Sequence, residues 1–148
     1  MNESTWAAVD QYFCDTLAAT DDLLDATLRD SAAAGLPPIS VSANQGKLLY
    51  LLAQMQGAEN ILEIGTLGGY STIWLARALP AGGQLITLEA SARHAAVARA
   101  NLARAGFAEV VDVREGAALA SLPKIAAEGR PAFDRSFIDA DKSNNPEY

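Results

Sequence analysis

The run Glu63-Ile64-Gly65-Thr66-Leu67-Gly68-Gly69-Tyr70-Ser71 joins an apolar, strand-like segment to a helical one. Open α/β sheets take their ligands beyond the carboxyl ends of their strands, and glycines there let a ligand lie against backbone. The dinucleotide fingerprint needs Gly-x-Gly-x-x-Gly so that a pyrophosphate can reach the helix N-terminus. Leu67 occupies the second glycine position and breaks it. Glu63 is also wrong beside a phosphate. It suits a cationic ligand, such as one carrying an ammonium and a sulfonium. A tight strand-to-helix turn with no ligand is the plainer reading of the same residues.

Glu89 ends the next strand-like run. An acid at that position can accept both hydroxyls of a ribose; an ordinary exposed strand-end glutamate is the alternative. Arg114-Glu115-Gly116-Ala117-Ala118 follows a third strand, and its small residues leave room for a flat base or simply start a helix. The fourth strand runs into Phe137-Ile138-Asp139-Ala140-Asp141-Lys142. Carboxylates at that rim suit a hard divalent cation. A lysine there serves as a base only where neighbouring cations or desolvation keep its amine neutral. A solvated acid-rich turn explains the residues equally well.

The elements that must carry these residues begin with helices. Ser4 or Thr5 is positioned to cap a helix bearing Trp6, Val9, Phe13 and Leu17 at spacings of three and four. Thr20 can cap a second, which Gly35 ends and Pro37-Pro38 prevents from continuing. Ser42 and Gln45 form a capping box for a third, closed by Gly57. The rhythm then changes. Strands are expected at Asn60–Ile64, Gln84–Glu89, Glu109–Val113 and Phe133–Asp139, with helices at Tyr70–Leu79, Ala92–Ala105 and Ala117–Ala127. Alternating strands too apolar for one wet face argue a parallel α/β sheet with helices on both faces. The chain reaches Tyr148 where the fourth strand should feed its next helix, so it is expected to be the front portion of a larger fold.

Composition narrows the function. The net charge is −7, and −6 of it lies in residues 1–30, which hold seven acids and one base. Nucleic-acid binding wants a basic surface, so that class is disfavoured; the acidic run reads as a solvated helix face. One cysteine, Cys14, allows neither a disulfide framework nor a thiolate zinc site. The single histidine, His94, is expected to be a surface or packing residue. The N-terminus does not resemble a signal peptide, and no apolar run reaches the roughly 18–20 residues of a membrane helix.

From about Pro38 to Tyr148 the sequence resembles the cation-dependent, S-adenosylmethionine-dependent O-methyltransferases, the group containing catechol and caffeoyl-coenzyme A O-methyltransferases, in their small bacterial form. The resemblance rests on Val41-Ser42 with Gln45-Gly46, Glu63-Ile64-Gly65-Thr66 with Gly69-Tyr70-Ser71, Leu88-Glu89, Ala98-Arg99-Ala100-Asn101-Leu102 with Ala105-Gly106, Glu115-Gly116-Ala117-Ala118, and Asp139-Ala140-Asp141-Lys142. Six blocks in order are far more specific than any one.

The resemblance implies a Rossmann-like class I methyltransferase fold in one domain, helical over 1–57 and cofactor-binding over 58–148, with the family's C-terminal strands absent. It implies that Val41 meets the methionine part of S-adenosylmethionine through backbone. Glu63 and Gly65 would hold the methionine end, Ser71 its carboxylate, Glu89 the ribose, and Ala118 the adenine. Asp139 would ligate a divalent cation (Mg, Mn or Ca) near the cofactor amine, and Lys142 would be the general base. The family completes its metal site with an Asp-Asn pair that has no counterpart here, and Ser136 replaces a usual apolar residue. The implied activity is methyl transfer to a hydroxyl of a catechol-like small molecule, in a cytoplasmic homodimer. Two rivals stand beside it: a non-catalytic cofactor-binding chain that associates with a partner, and a nicotinamide oxidoreductase, which Leu67 opposes.

Overall fold

The structure is a computed structural model that describes residues 3–17 and 21–148. Helices α1 (Glu3–Thr16), α2 (Asp22–Ala33) and α3 (Ala43–Gln56) precede an alternating series: β1 (Asn60–Ile64), α4 (Tyr70–Ala76), β2 (Gln84–Glu89), α5 (Ala92–Arg104), β3 (Val111–Glu115), α6 (Ala118–Ala127) and β4 (Arg135–Ile138). A 3₁₀ turn, Lys142–Glu147, follows. Among the described residues no helix is long and apolar enough to cross a membrane.

The four strands form one parallel sheet in the order β3-β2-β1-β4. After β3 the chain crosses to the far side of β1, so the switch in strand order lies between β1 and β4, where open α/β sheets place their ligands. Alternation along the strands builds a core on each face. Ile61, Leu85, Val111 and Val113 pack with Leu24, Ala53, Ile73, Leu75, Ala95 and Leu102 of α2 to α5. Leu62, Ile64, Ile86 and Leu88 pack with Ile125 of α6. Glu63 shares the face of Ile61 and points toward α4.

Local signals set most helix ends. Ser42 and Gln45 close a capping box on α3, and Ser91 caps α5. Helix α1 already includes Ser4 and Thr5, so neither is its cap. Thr20 lies outside the described residues; Asp21 caps α2, accepting from the amides of Leu23 and Leu24 at 3.2 and 3.0 Å. Helix α4 stops at Ala76 rather than Leu79, because Ala78 and Leu79 close tighter turns onto Leu75 and Ala76. Ala117 is extended and precedes α6.

Two strands are shifted from expectation. Strand β3 begins at Val111 because Phe107 accepts the amides of Val110 and Val111 in the turn leaving α5. Strand β4 begins at Arg135 because Asp134 serves as a cap instead. Its carboxylate accepts from the amides of Asn60 and Glu59 at 2.8 and 2.9 Å, which hold it below the ordinary carboxylate range. The acidic N-terminal run is largely exposed, with Asp10, Asp21 and Asp30 tied to Asn44, Arg77 and Arg104.

Candidate functional site

Glu63 is fully buried, yet it is a carboxylate. Such a group persists inside a protein only with hydrogen-bond partners. Three hydroxyls supply them: Ser71 Oγ to Oε1 at 2.7 Å, and Thr72 Oγ1 and Thr87 Oγ1 to Oε2 at 2.5 and 2.7 Å. Ser71 and Thr72 come from the first turn of α4, so the carboxylate pins that helix to β1. Burial pushes its pKa up to about 7; the three hydroxyls oppose the rise and the charge of Asp139 adds to it.

Gly65 leaves β1 with φ of 100°. A Cβ there would fall 2.1 Å from the backbone oxygen of Asp139, at the end of β4. Side-chain absence at Gly65 therefore serves the close approach of two strand ends. Beyond the strand, Asp139 N still donates to Ile64 O at 2.9 Å, which keeps β1 and β4 together to the rim.

A cavity of about 730 Å³ opens over this rim. Val41, Gly65, Ser71, Glu89, Ala118, Asp139 and Lys142 all line it, although they come from five separate stretches of chain. Glu63 does not line it; its place is beneath, behind Ser71. Glu89 is nearly buried, and each of its oxygens already accepts a backbone amide: Leu67 N to Oε2 at 2.8 Å and Ser91 N to Oε1 at 2.9 Å. A carboxylate has about four lone-pair directions, so two remain for a ligand.

The rim after β4 is open. Asp139, Asp141 and Lys142 are exposed. The hydroxyl of Tyr148 and the side chains of Ser143 and Asn144 all donate to Asp141. The Tyr148 contact is the chief cause of a lowered pKa at Asp141. Among the described residues no three His, Cys, Asp or Glu side chains converge on one point. A hard cation wants six or more oxygen ligands, and Asp139 with Asp141 offers two carboxylates at most, one already engaged. The described residues therefore do not fit a divalent cation by themselves.

Some lining residues were not anticipated. Ile39 and Ser40 extend the lip that Val41 begins, and Leu67 and Tyr148 also face the cavity. His94, expected on the surface or in packing, lines the wall with Nδ1 3.4 Å from Glu89 Oε1. The available signal was position: it lies in the first turn of α5, three residues past the cap Ser91, so it faces the same rim as the strand ends.

Comparison with known proteins agrees with this geometry. The sequence model of a family described as O-methyltransferase matches residues 15–148. Over all 148 residues the chain is 54% identical to a catechol O-methyltransferase of Niastella koreensis, of which it covers 67%. It is 54% identical over 140 residues to another of that name from Mycobacterium tuberculosis, covering 62%. Among solved structures, an O-methyltransferase from Bacillus cereus in complex with SAH superposes with a TM-score of 0.95 at 58% identity, covering 98% of this chain and 66% of that one. TomG from Streptomyces achromogenes, involved in tomaymycin synthesis and in complex with SAM, gives 0.93 at 46% identity, covering 100% of this chain and 66% of that one. The chain thus spans about two thirds of the length of these relatives. The parallel sheet with helices on both faces is the class I methyltransferase fold, and by sequence and structure together this chain belongs to the O-methyltransferase family.

Proposed function

We propose that the rim cavity binds S-adenosylmethionine and that the protein transfers its methyl group to a hydroxyl of a catechol-like small molecule. The observation that carries this reading is the convergence of Val41, Gly65, Ser71, Glu89, Ala118, Asp139 and Lys142 on one cavity. Glu89 has two free lone-pair directions for ribose hydroxyls. Ala118 leaves space beside it for adenine. The Gly65 turn, with Ser71 and Val41, receives the methionine end. Asp139 stands at the same edge, a carboxylate for the cofactor ammonium. Glu63 supports this end from beneath the cavity, where it accepts the hydroxyl of Ser71.

Bound there, the cofactor supplies an electrophilic methyl on a sulfonium. The chain's own residues orient it and leave the methyl facing the open side of the rim, where Lys142 stands in the position that the resemblance gives to the general base. Holding the two reactants in line supplies most of the rate. Assistance by Mg, Mn or Ca at Asp139 is implied by the resemblance alone. The helical part, 1–57, and the cofactor-binding part, 58–148, act as one domain in the cytoplasm, with no nucleic-acid or membrane partner.

The same reading includes a homodimer. Trp6, Val9, Tyr12 and Phe13 on α1, Leu17 just beyond it, and Leu48, Leu51, Leu52 and Met55 on α3 are all exposed. Apolar side chains exposed on two helices that pack against each other fit an interaction surface.

The test is a titration of the 148-residue chain with S-adenosylmethionine by calorimetry, beside a methyl-transfer assay on a catechol. No binding at millimolar cofactor overturns the proposal. Cofactor binding without turnover favours the second reading, a chain that holds the cofactor but does not catalyse. The engagement of Asp141 with Ser143, Asn144 and Tyr148 favours that reading. Binding of NADH in place of S-adenosylmethionine returns the case to an oxidoreductase.

A further inference from the structure

Among the described residues Leu67 is the one non-glycine with a positive φ, 50°. For an L-residue the left-handed region lowers the equilibrium population about five- to thirtyfold. Such a conformation persists only where the surroundings over-determine it. Two restraints act here: the Gly69 amide donates to the Thr66 carbonyl at 2.9 Å and closes the turn around Leu67, and Glu89 Oε2 accepts the Leu67 amide at 2.8 Å. The flanking turn is held independently. Thr66 Oγ1 meets Thr87 Oγ1 at 2.6 Å, and buried Asn101 donates to the Gly68 carbonyl at 2.8 Å. Leu67 lies between these two anchors, and its amide is tied only to the carboxylate that also faces the cavity.

The geometry points to a second role for Glu89: besides accepting ribose hydroxyls, it is the positioning residue that keeps the Leu67 turn in its strained, ligand-ready form. One carboxylate then serves both ends of the cofactor. The ribose meets its free lone pairs, and the methionine end meets the turn that its Oε2 holds in place. This inference rests on the cofactor reading above. It also explains why Leu67 is tolerated where a glycine would be the easier residue: the cost of the left-handed backbone is offset by a hydrogen bond already present before any ligand arrives.

The experiment uses S-adenosylhomocysteine and its 2′,3′-dideoxy analogue, which lacks both ribose hydroxyls. Affinities are measured by calorimetry for the parent, Glu89→Ala, Leu67→Gly and the double variant, each first shown folded by thermal denaturation. If Glu89 acts only through the hydroxyls, Glu89→Ala and the parent bind the dideoxy ligand within twofold of each other, and the inference is overturned. If it also holds the turn, Glu89→Ala weakens the dideoxy ligand about five- to thirtyfold. That loss shrinks to less than twofold in the Leu67→Gly background, where the left-handed backbone costs nothing. An equal loss in both backgrounds also overturns the inference, since a general structural defect is not rescued by a glycine. Glu89→Met, similar in length and with no oxygen acceptor, carries the same comparison if Glu89→Ala does not fold. Failure of the parent to bind S-adenosylhomocysteine overturns the cofactor reading itself, a result distinct from the other two.

Discussion

Ser71 donates its hydroxyl proton to Glu63 at 2.7 Å, so the one proton it owns is directed into the protein and not into the cavity that its side chain lines. A hydroxyl has one donor and two acceptor sites. Toward a ligand Ser71 therefore offers lone pairs, unless the hydroxyl rotates and leaves Glu63 with two donors.

That relationship separates Ser71 from Thr72, which donates to the other oxygen of Glu63 but does not line the cavity. Both Ser71→Ala and Thr72→Ala remove one hydrogen bond to a buried carboxylate. Each is expected to lower stability by about 1–3 kcal/mol. Only Ser71→Ala is expected to weaken S-adenosylmethionine as well. Urea denaturation and calorimetry on the two variants make the comparison, and equal loss of cofactor affinity in both would remove Ser71 from the site.

Glu63 gives stability a pH dependence of known sign. Its pKa rises from 4.5 unfolded to about 7 folded, so the folded state binds more protons between those values. Stability due to this group is full below about pH 4.5 and falls as pH rises toward about 7. The loss is of the order of 2–4 kcal/mol. Glu63→Gln, neutral throughout, removes that slope. Denaturant midpoints at pH 5 and pH 8 should differ more for the parent than for the variant; parallel midpoints would contradict the assignment.

Gly46 tests the packing of α3 on α4. A Cβ there would lie 2.2 Å from Trp74 Cδ1 and 2.4 Å from its Nε1, atoms of a buried ring. Gly46→Ala is expected to cost about 1–3 kcal/mol through overpacking. Among the described residues Trp74 Nε1 also has no hydrogen-bond partner. Adding Trp74→Val removes Cδ1 and Nε1, the two closest atoms, together with the orphaned donor, and should relieve the clash that Gly46→Ala creates. Thermal denaturation of the single and double variants reads this directly.

Catalysis by the 148-residue chain should lag behind its binding. With Asp139 exposed and Asp141 engaged, a cation finds too few ligands to clamp an acceptor diol. S-adenosylmethionine should bind, while methyl transfer to a catechol with added magnesium or manganese stays below ~1 s⁻¹, the low end of ordinary enzymes. Faster turnover would show that a working site forms from these residues alone.

The exposed faces of α1 and α3 predict self-association. Sedimentation of the parent at micromolar concentration should give a dimer, and Phe13→Asp with Met55→Asp should shift it to monomer. A parent that stays monomeric would leave that apolar surface to another partner.

Much of the architecture is written locally. The capping box of Ser42 and Gln45, the cap Ser91, the apolar runs of β1 and β2 and the small residues closing the helices act within a few residues of themselves, so a window of sequence contains their cause. The rim residues were legible for the same reason: a residue that ends a parallel strand must lie on the carboxyl edge, whatever the strand order. Strand order and close contacts are different. That Gly65 yields its space to the Asp139 carbonyl, 74 positions later, follows from β4 pairing with β1. No local pattern carries that information. Asp134 could likewise be read as strand until Glu59 and Asn60 offered it their amides. The burial of Glu63 under three hydroxyls, and the tie from Glu89 to Leu67, required the folded sheet to bring β1, β2 and α4 together. Sequence determined which chemical groups reach the rim. Tertiary packing decided which of them keep free lone pairs for a ligand and which spend theirs holding the site in shape.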